Sequence, residues 1–456
     1  MLKSKHILIL TSLALLIMAG DVSAQMNSSG SIGGFGGPAV LGRSPGSNTG
    51  QRGVSDLGIR YYVGANAIVD SGLTGVSTDA MGNVSSVAAG GIEGVAGIYG
   101  TKRFKRAQIG INFNAGYRQY TKKTGFAGWD QNFAIYTTKQ LNAHSATAFN
   151  AAIGTTNRTV GVPLLAGVVD PSFSSLALPN NELFDNRLYY GSSSLSYVYQ
   201  KSARSSYHAQ GSGFVTRRTG DVLYGVNGAA ATADFAYRLS RKQTISVGYQ
   251  FFLYNFTRNF GDSNGNGGFA AYSVQLGRRT QLALRAGFYL AEILGLRSAD
   301  VDPIIAAILG QTKTSEVFYN KTIVPTGSVV LTGSLSRRSS YTLNAGMYVS
   351  PGNGVINTSR DYNASAGYNY TGIRNWSIGM SAGYNYLTSI AGDHQSFSSL
   401  FFGGSASRRI SNTLFMTANG GIRNYFQSTT NAYQRNSFYA SFGITYSPGE
   451  IPLAIR

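Results

Sequence analysis

The sequence contains no cysteine among its 456 residues. That excludes a disulfide framework and any thiolate metal site. Small exported folds often need such staples, but a chain of this length can do without them. Only four histidines occur, and one of them, His6, lies in the N-terminal segment. His144, His208 and His394 are scattered, which argues against a transition-metal centre. Charge is scarce as well: Asp, Glu, Lys and Arg make up 12% of the residues. Beyond the N-terminus no stretch approaches the roughly 18 apolar residues that a spanning helix needs. No composition break marks a linker either. Gly, Tyr, Phe, Ser, Asn and Thr recur evenly from about residue 55 onward, as in one large repetitive β architecture.

What is present begins with a targeting segment. Lys3 and Lys5 form a positive n-region, Ile7 to Met18 an apolar h-region broken only by Thr11 and Ser12, and Val22-Ser23-Ala24 a small-residue cleavage site. Residues 1–24 therefore read as a secretory signal peptide, too short for a stable membrane span. The net charge is +19; removing two Lys and one Asp with the signal peptide leaves +18. So basic a chain calls for an anionic partner, and export disfavours nucleic acid. Residues 25–55 are rich in Gly, Ser and Asn and read as a flexible tail, long enough to fold back into a lumen.

From Leu57 a period of two takes over. Leu57, Ile59, Tyr61, Val63, Ala65, Ala67 and Val69 alternate with Gly58, Arg60, Tyr62, Gly64 and Asn66. The pattern returns at Ile109–Arg118, Leu282–Leu290, Tyr341–Val349, Trp376–Tyr386 and Phe438–Tyr446. Alternate side chains of such strands share one face. The opening of Tyr237–Phe256 shows a second period. There Arg238, Arg241 and Lys242 crowd a tight turn, and Ile245, Val247, Tyr249, Phe251 and Leu253 follow at alternate positions. Similar basic turns recur near Lys105-Arg106, Lys139, Lys201/Arg204, Arg278-Arg279, Arg337-Arg338, Arg374 and Arg408-Arg409. Two intervals between turns are longer and hold insertions, residues 159–186 and 291–324. These spacings predict eight hairpins and about eighteen antiparallel strands, sixteen being possible, with both termini on the short-turn side.

An outward apolar face on so many strands would aggregate in water, whereas a bilayer accepts it. Lipid also requires every backbone N–H and C=O to be paired, which a closed barrel achieves. The expected fold is an all-β, transmembrane, antiparallel up-and-down barrel over residues 56–448, with a C-terminal tail at 449–456. Its inward face of Gly, Ser, Asn, Thr, Tyr and some Arg suggests a water-filled lumen. On these grounds Leu57 to Ser447 resembles the outer-membrane β-barrels of Gram-negative bacteria, the porin-like ones in particular. In that family the last strand usually ends on an aromatic residue. Here Tyr446 is followed by Ser-Pro-Gly-Glu-Ile-Pro-Leu-Ala-Ile-Arg.

The resemblance places the short turns in the periplasm and the chain in the outer membrane. It implies outer-membrane lipid and the barrel-assembly machinery as partners, with the oligomeric state open. Cations gather at the turns, and most acids, among them Asp70, Glu182, Asp185 and Asp361, fall in or near the long loops. The basic turns, Lys105, Arg106, Arg241, Lys242, Arg278, Arg279, Arg337, Arg338, Arg408 and Arg409, either anchor the rim or form a positive mouth that gathers anions. Arg60, Arg118, Arg285 and Arg423 are the expected lumen selectivity residues. In the later insertion Asp302-Pro303 precedes Ile304, Ile305, Ala306, Ala307, Ile308, Leu309 and Gly310. That is a helix start, an apolar turn and a stop, so a short helix is expected there to constrict the pore or cover it.

Catalytic and metal signals are weak. Asp262, Asn264, Asn266 and Gly267 match the opening of a calcium loop, but Ser273 stands where a bidentate Glu is needed, so an Asn/Gly hairpin loop is expected. Gly379-Met-Ser381-Ala-Gly383 matches a nucleophile motif but lies mid-strand, which makes Ser381 a lumen serine. No cofactor, metal or catalytic residue is expected. The function expected from sequence is a porin-like channel for passive diffusion of small hydrophilic solutes, preferring anions or sugars. The alternatives are an exit pore for an anionic exopolysaccharide and a structural barrel that transports nothing.

Overall fold

The computed structural model describes residues 57–78, 84–122, 125–157, 182, 184–220, 223–258, 260–300, 313–336, 338–390, 396–427, 435–448 and 450–453. They form one antiparallel sheet. It runs through β1 (Leu57–Thr78), β2 (Val84–Arg103), β3 (Ala107–Tyr120), β4 (Gly128–Gln140), β5 (Ser145–Thr156) and β6 (Leu188–Gln200). It continues as β7 (Ser205–Arg218), β8 (Gly225–Arg238), β9 (Gln243–Thr257), β10 (Gly261–Gln275), β11 (Thr280–Asp300) and β12 (Lys313–Ser336). β13 (Ser339–Ser350), β14 (Ser359–Tyr370), β15 (Trp376–Ser389), β16 (Ser396–Arg409), β17 (Leu414–Gln427) and β18 (Arg435–Tyr446) complete the ring.

Each strand pairs with its neighbours in sequence, and β1 closes the circle against β18 from Val63 opposite Tyr446 to Ser71 opposite Phe438. This is a closed barrel of eighteen strands. A further short strand, β19 (Glu450–Leu453), lies against Leu57–Arg60 of β1. Every connection from an even to an odd strand lies at one rim, the turn rim, and every odd-to-even connection at the other, the loop rim.

Period-two sequences take this form because β-branched and aromatic side chains pack well on a pleated surface. On β9, Ile245, Val247 and Tyr249 point outward and are 40%, 55% and 53% exposed. Neighbouring strands add outward pairs such as Tyr117 with Trp129, ring centroids 5.0 Å apart, and Tyr207 with Phe235 at 5.2 Å. Cross-strand aromatic pairs of this kind stabilise the sheet. The outer surface is thus an apolar band suited to lipid.

Two expectations from sequence are corrected. Residues 291–324 are largely not a loop: β11 runs on to Asp300 and β12 begins at Lys313. The alternation persists there, with Ala291 and Ile293 buried inside and Glu292 outside, bonded to Lys321 at 2.6 Å. The helix expected over Asp302, Pro303, Ile304, Ile305, Ile308 and Leu309 lies outside the described residues. Asp262–Gly267 is not a hairpin loop either but the start of β10, paired on both sides with β9 and β11. Two full ladders outweigh the turn preference of Asn and Gly.

Candidate functional site: the lumen and its closed end

The inner wall changes character along its length. On β13 the inward residues run from exposed Ser340 and Thr342, through half-buried Asn344, to buried Tyr348 and Ser350. On β14 they run from exposed Asn369 and Ser365 to Asp361 and Ser359, which are 3% and 0% exposed. The turn half is an open chamber of hydroxyls and amides. The loop half is packed.

Three apolar clusters fill that half; one, of Ile68, Leu73, Ala89, Tyr120 and Tyr439, lies along β1–β3 and β18, and the other two reach farther round the ring. Of those two, the first joins Phe214 of β7, Val226 and Ala230 of β8, and Phe252, Tyr254 and Phe256 of β9 to Ala291, Val324 and Val349. Phe252 stacks on Tyr254 at 4.8 Å and meets Tyr289 edge-on at 4.9 Å. Gly265 makes room for it, since a Cβ there would lie 2.3 Å from the Phe252 ring. The Tyr254 hydroxyl donates to the Val349 carbonyl at 3.2 Å.

The second cluster joins Leu223, from the β7–β8 connection, to Phe184, Ile356, Leu387 of β15, Phe397 of β16 and Tyr425 of β17. β7 and β17 stand nearly opposite each other on the ring of strands. The cluster therefore crosses the mouth, and the connections that supply it form a lid.

Buried polar contacts pin the lid to the wall. Arg218 donates from Nε to both carboxylate oxygens of Glu182, at 3.1 and 3.0 Å, and from Nη2 to Oε1. Its Nη1 donates to the Tyr224 carbonyl at 2.6 Å. Gly354, with φ of +88°, lies against the same guanidinium; a Cβ would sit 2.8 Å from it, so only glycine fits. A few residues on, the Asp185 carboxylate accepts from the Thr74 amide at 3.0 Å and lies 3.7 Å from Arg435. The segment around residues 182–187 thus links β7 on one side to β1 and β18 on the other. Ser263 and Thr358 share a hydrogen bond of 2.5 Å between β10 and the β13–β14 connection. Glu182 and Asp185 are buried in these contacts, and Asp361 is buried against the wall, accepting from Asn385 of β15 at 2.6 Å, rather than displayed at the loop rim.

The arginines singled out from sequence lie on the inner face at separate points. Arg118 sits between two carboxylates, Glu93 at 2.6 Å and Asp130 at 2.5 Å, and Asn66 donates to Glu93 at 3.1 Å. Arg285 donates to Gln250 at 2.9 Å and covers the Phe269 ring at 3.8 Å. Arg423 lies 5.5 Å from the Phe401 ring and 5.9 Å from that of Tyr425. Arg60 is half-buried near the turn end of β1, across the ladder from Tyr99.

At the turn rim Lys105, Arg106, Arg241, Lys242, Arg278, Arg279, Arg338, Arg408 and Arg409 are exposed, while Arg337 lies outside the described residues. His208 Nδ1 lies 3.0 Å from Asp234 Oδ1 on the inner wall. Ser381 stands in the open chamber, paired in the ladder with Gly367 and Gly403. Among the described residues no group of His, Asp and Glu comes together as a metal site.

Sequence reasoning missed the lid. Its clearest signal was Gln250–Phe256, which is apolar on both faces toward its end, the mark of a strand covered on both sides.

No family model and no curated protein matches the chain. Solved structures are similar to it. The FrpB iron transporter from Neisseria meningitidis (F5-1 variant) is 9% identical, with 86% of this chain and 82% of that chain covered and a TM-score of 0.39. BauA, the ferric preacinetobactin receptor from Acinetobacter baumannii, is 9% identical over 86% and 80% of the two chains, TM-score 0.41. The siderophore receptor PirA from Pseudomonas aeruginosa is 9% identical over 85% and 80%, TM-score 0.36. The protein is a membrane-spanning β-barrel, as its closed ladder and apolar outer band require. The passive, porin-like channel expected from sequence is corrected. The loop half of this lumen is packed rather than open.

Proposed function

We propose that the protein moves a polar solute across the outer membrane through a lumen gated at its loop end. The observation that carries this is the cluster joining Leu223 to Tyr425 across the mouth, above a chamber that stays open. A barrel serving only as support is most stable when its interior is packed throughout. Half of this one is left lined by Ser340, Thr342, Ser365 and Ser381. Hydroxyls and amides suit a polar solute.

The lid hangs from the ladder by a few contacts, so it can leave as a unit while the strands stay paired. The decisive contact is Arg218–Glu182, because opening the lid separates two charges that are buried when it is closed.

Planar-bilayer conductance of the refolded full chain tests this. The unaltered protein is expected to be silent or to open briefly, and Arg218→Ala to give stable steps. Continuously open steps from the unaltered protein would overturn the gate. Silence of both, in protein whose heat-modifiable gel mobility shows a folded barrel, would overturn transport through the lumen.

A further inference from the structure

The outer wall carries a groove that lumen transport does not use. It lies across β9 to β13 and has a volume of about 540 Å³. Its floor is made of small outward residues, Ala270, Ala286 and Gly327, and its sides are Ile245, Leu284 and Met347. Almost all of the lining surface is apolar.

Directly below, two short turns meet the water. The β8–β9 turn presents Leu239, 52% exposed, with Arg241 and Lys242; the β10–β11 turn presents Leu276, 58% exposed, with Arg278 and Arg279. Among the described residues the side chains of these four cations have no acidic partner. Apolar residues at a membrane boundary insert while neighbouring cations reach the headgroup level. Ala286 lies six residues above the start of β11 at Thr280. With a strand rise of about 3.3 Å and a tilt near 40°, the groove's middle stands roughly 15 Å above the cations. That is the separation between a phospholipid's phosphate and the middle of its acyl chain.

We propose that this wall binds one anionic phospholipid of the turn-side leaflet, its acyl chain in the groove and its phosphate on Arg278, Arg279, Arg241 and Lys242. The apolar groove fixes the chain, and charge complementarity selects the headgroup. The occupant stands along the strands, so its two ends are read by different residues and can be tested separately.

Native mass spectrometry of the refolded full chain, released from detergent carrying equal phosphatidylglycerol and phosphatidylcholine, is the test. One phosphatidylglycerol is expected to stay bound in preference to phosphatidylcholine. Arg278→Gln and Arg279→Gln are each expected to lower its retention about fivefold, a loss of roughly one basic contact. Ala286→Phe, which fills the groove, is expected to abolish it. Arg374→Gln, at an exposed turn away from the groove, is expected to leave it unchanged. Gel mobility confirms that each variant is folded, and the turn variants alter no packed residue. Equal retention of the two lipids, or a loss for Arg374→Gln equal to that for Arg278→Gln, would overturn the site. A dimer peak that Ala286→Phe removes would overturn it by assigning the groove to a second copy of the chain.

Discussion

The two halves of the lumen share the same strands and the same unbroken ladder, yet one is open and the other packed. On β9 the inward residues pass from Thr244 and Ser246 to Phe252, Tyr254 and Phe256. On β15 they pass from exposed Ser381 to Leu387, which is fully buried. Strand number sets the width of a barrel. Whether that width is a passage depends on the inward side chains near one rim and on the connections folded over them.

The contrast is sharpest where a single substitution separates the halves. Phe397→Ala removes a wall residue on which the lid packs and is expected to cost about 3–5 kcal/mol of lid packing. Protease added on the loop side should then cut the connections near Leu223 much faster than in Phe402→Ala, since Phe402 faces lipid on the same strand. Equal cutting would remove the distinction between lid and wall.

A bulkier residue probes the same contrast. Ser263 is fully buried, so Ser263→Phe is expected to cost about 1–3 kcal/mol or more. Ser381→Phe, in the open chamber, is expected to stay within about 0.5 kcal/mol. Urea midpoints followed by the fluorescence of the two tryptophans, Trp129 and Trp376, compare them.

The lack of cysteine gives a third probe without background. Thr342→Cys should react with a polar maleimide at least about tenfold faster than Ser359→Cys, which only lid opening exposes. Matching rates would mean that the loop half is as wet as the turn half.

The smallest effect is expected outside both halves. Glu292 and Lys321 pair on the outer surface with side chains 34% and 50% exposed. Glu292→Gln should lower stability by less than about 1 kcal/mol, read by the same urea midpoints.

The sequence made the wall legible and left the lid hidden, for a physical reason. Eighteen strands follow from an alternation of period two and from basic turns, both of which are local patterns. The lid depends on contacts between distant residues, such as Glu182 with Arg218 and Leu223 with Tyr425. Nothing near Arg218 announces a carboxylate that arrives from another connection. Arg118 looked like a free lumen charge because Glu93 and Asp130 belong to different strands. The β11–β12 hairpin looked like an insertion because polar residues such as Glu292 and Lys321 interrupt its outward apolar run.

That hairpin has a consequence of its own. β12 pairs with β13 only from Gly327 onward, so from Thr326 back to Lys313 no strand pairs with its second edge among the described residues. Open backbone of this kind recruits any extended chain that meets it. Pro325 takes one donor from the base of that edge, and Lys321 adds a charge beside it, two devices that discourage casual strand addition. That open edge is thus held at the loop rim, at the end of the barrel away from the basic turns.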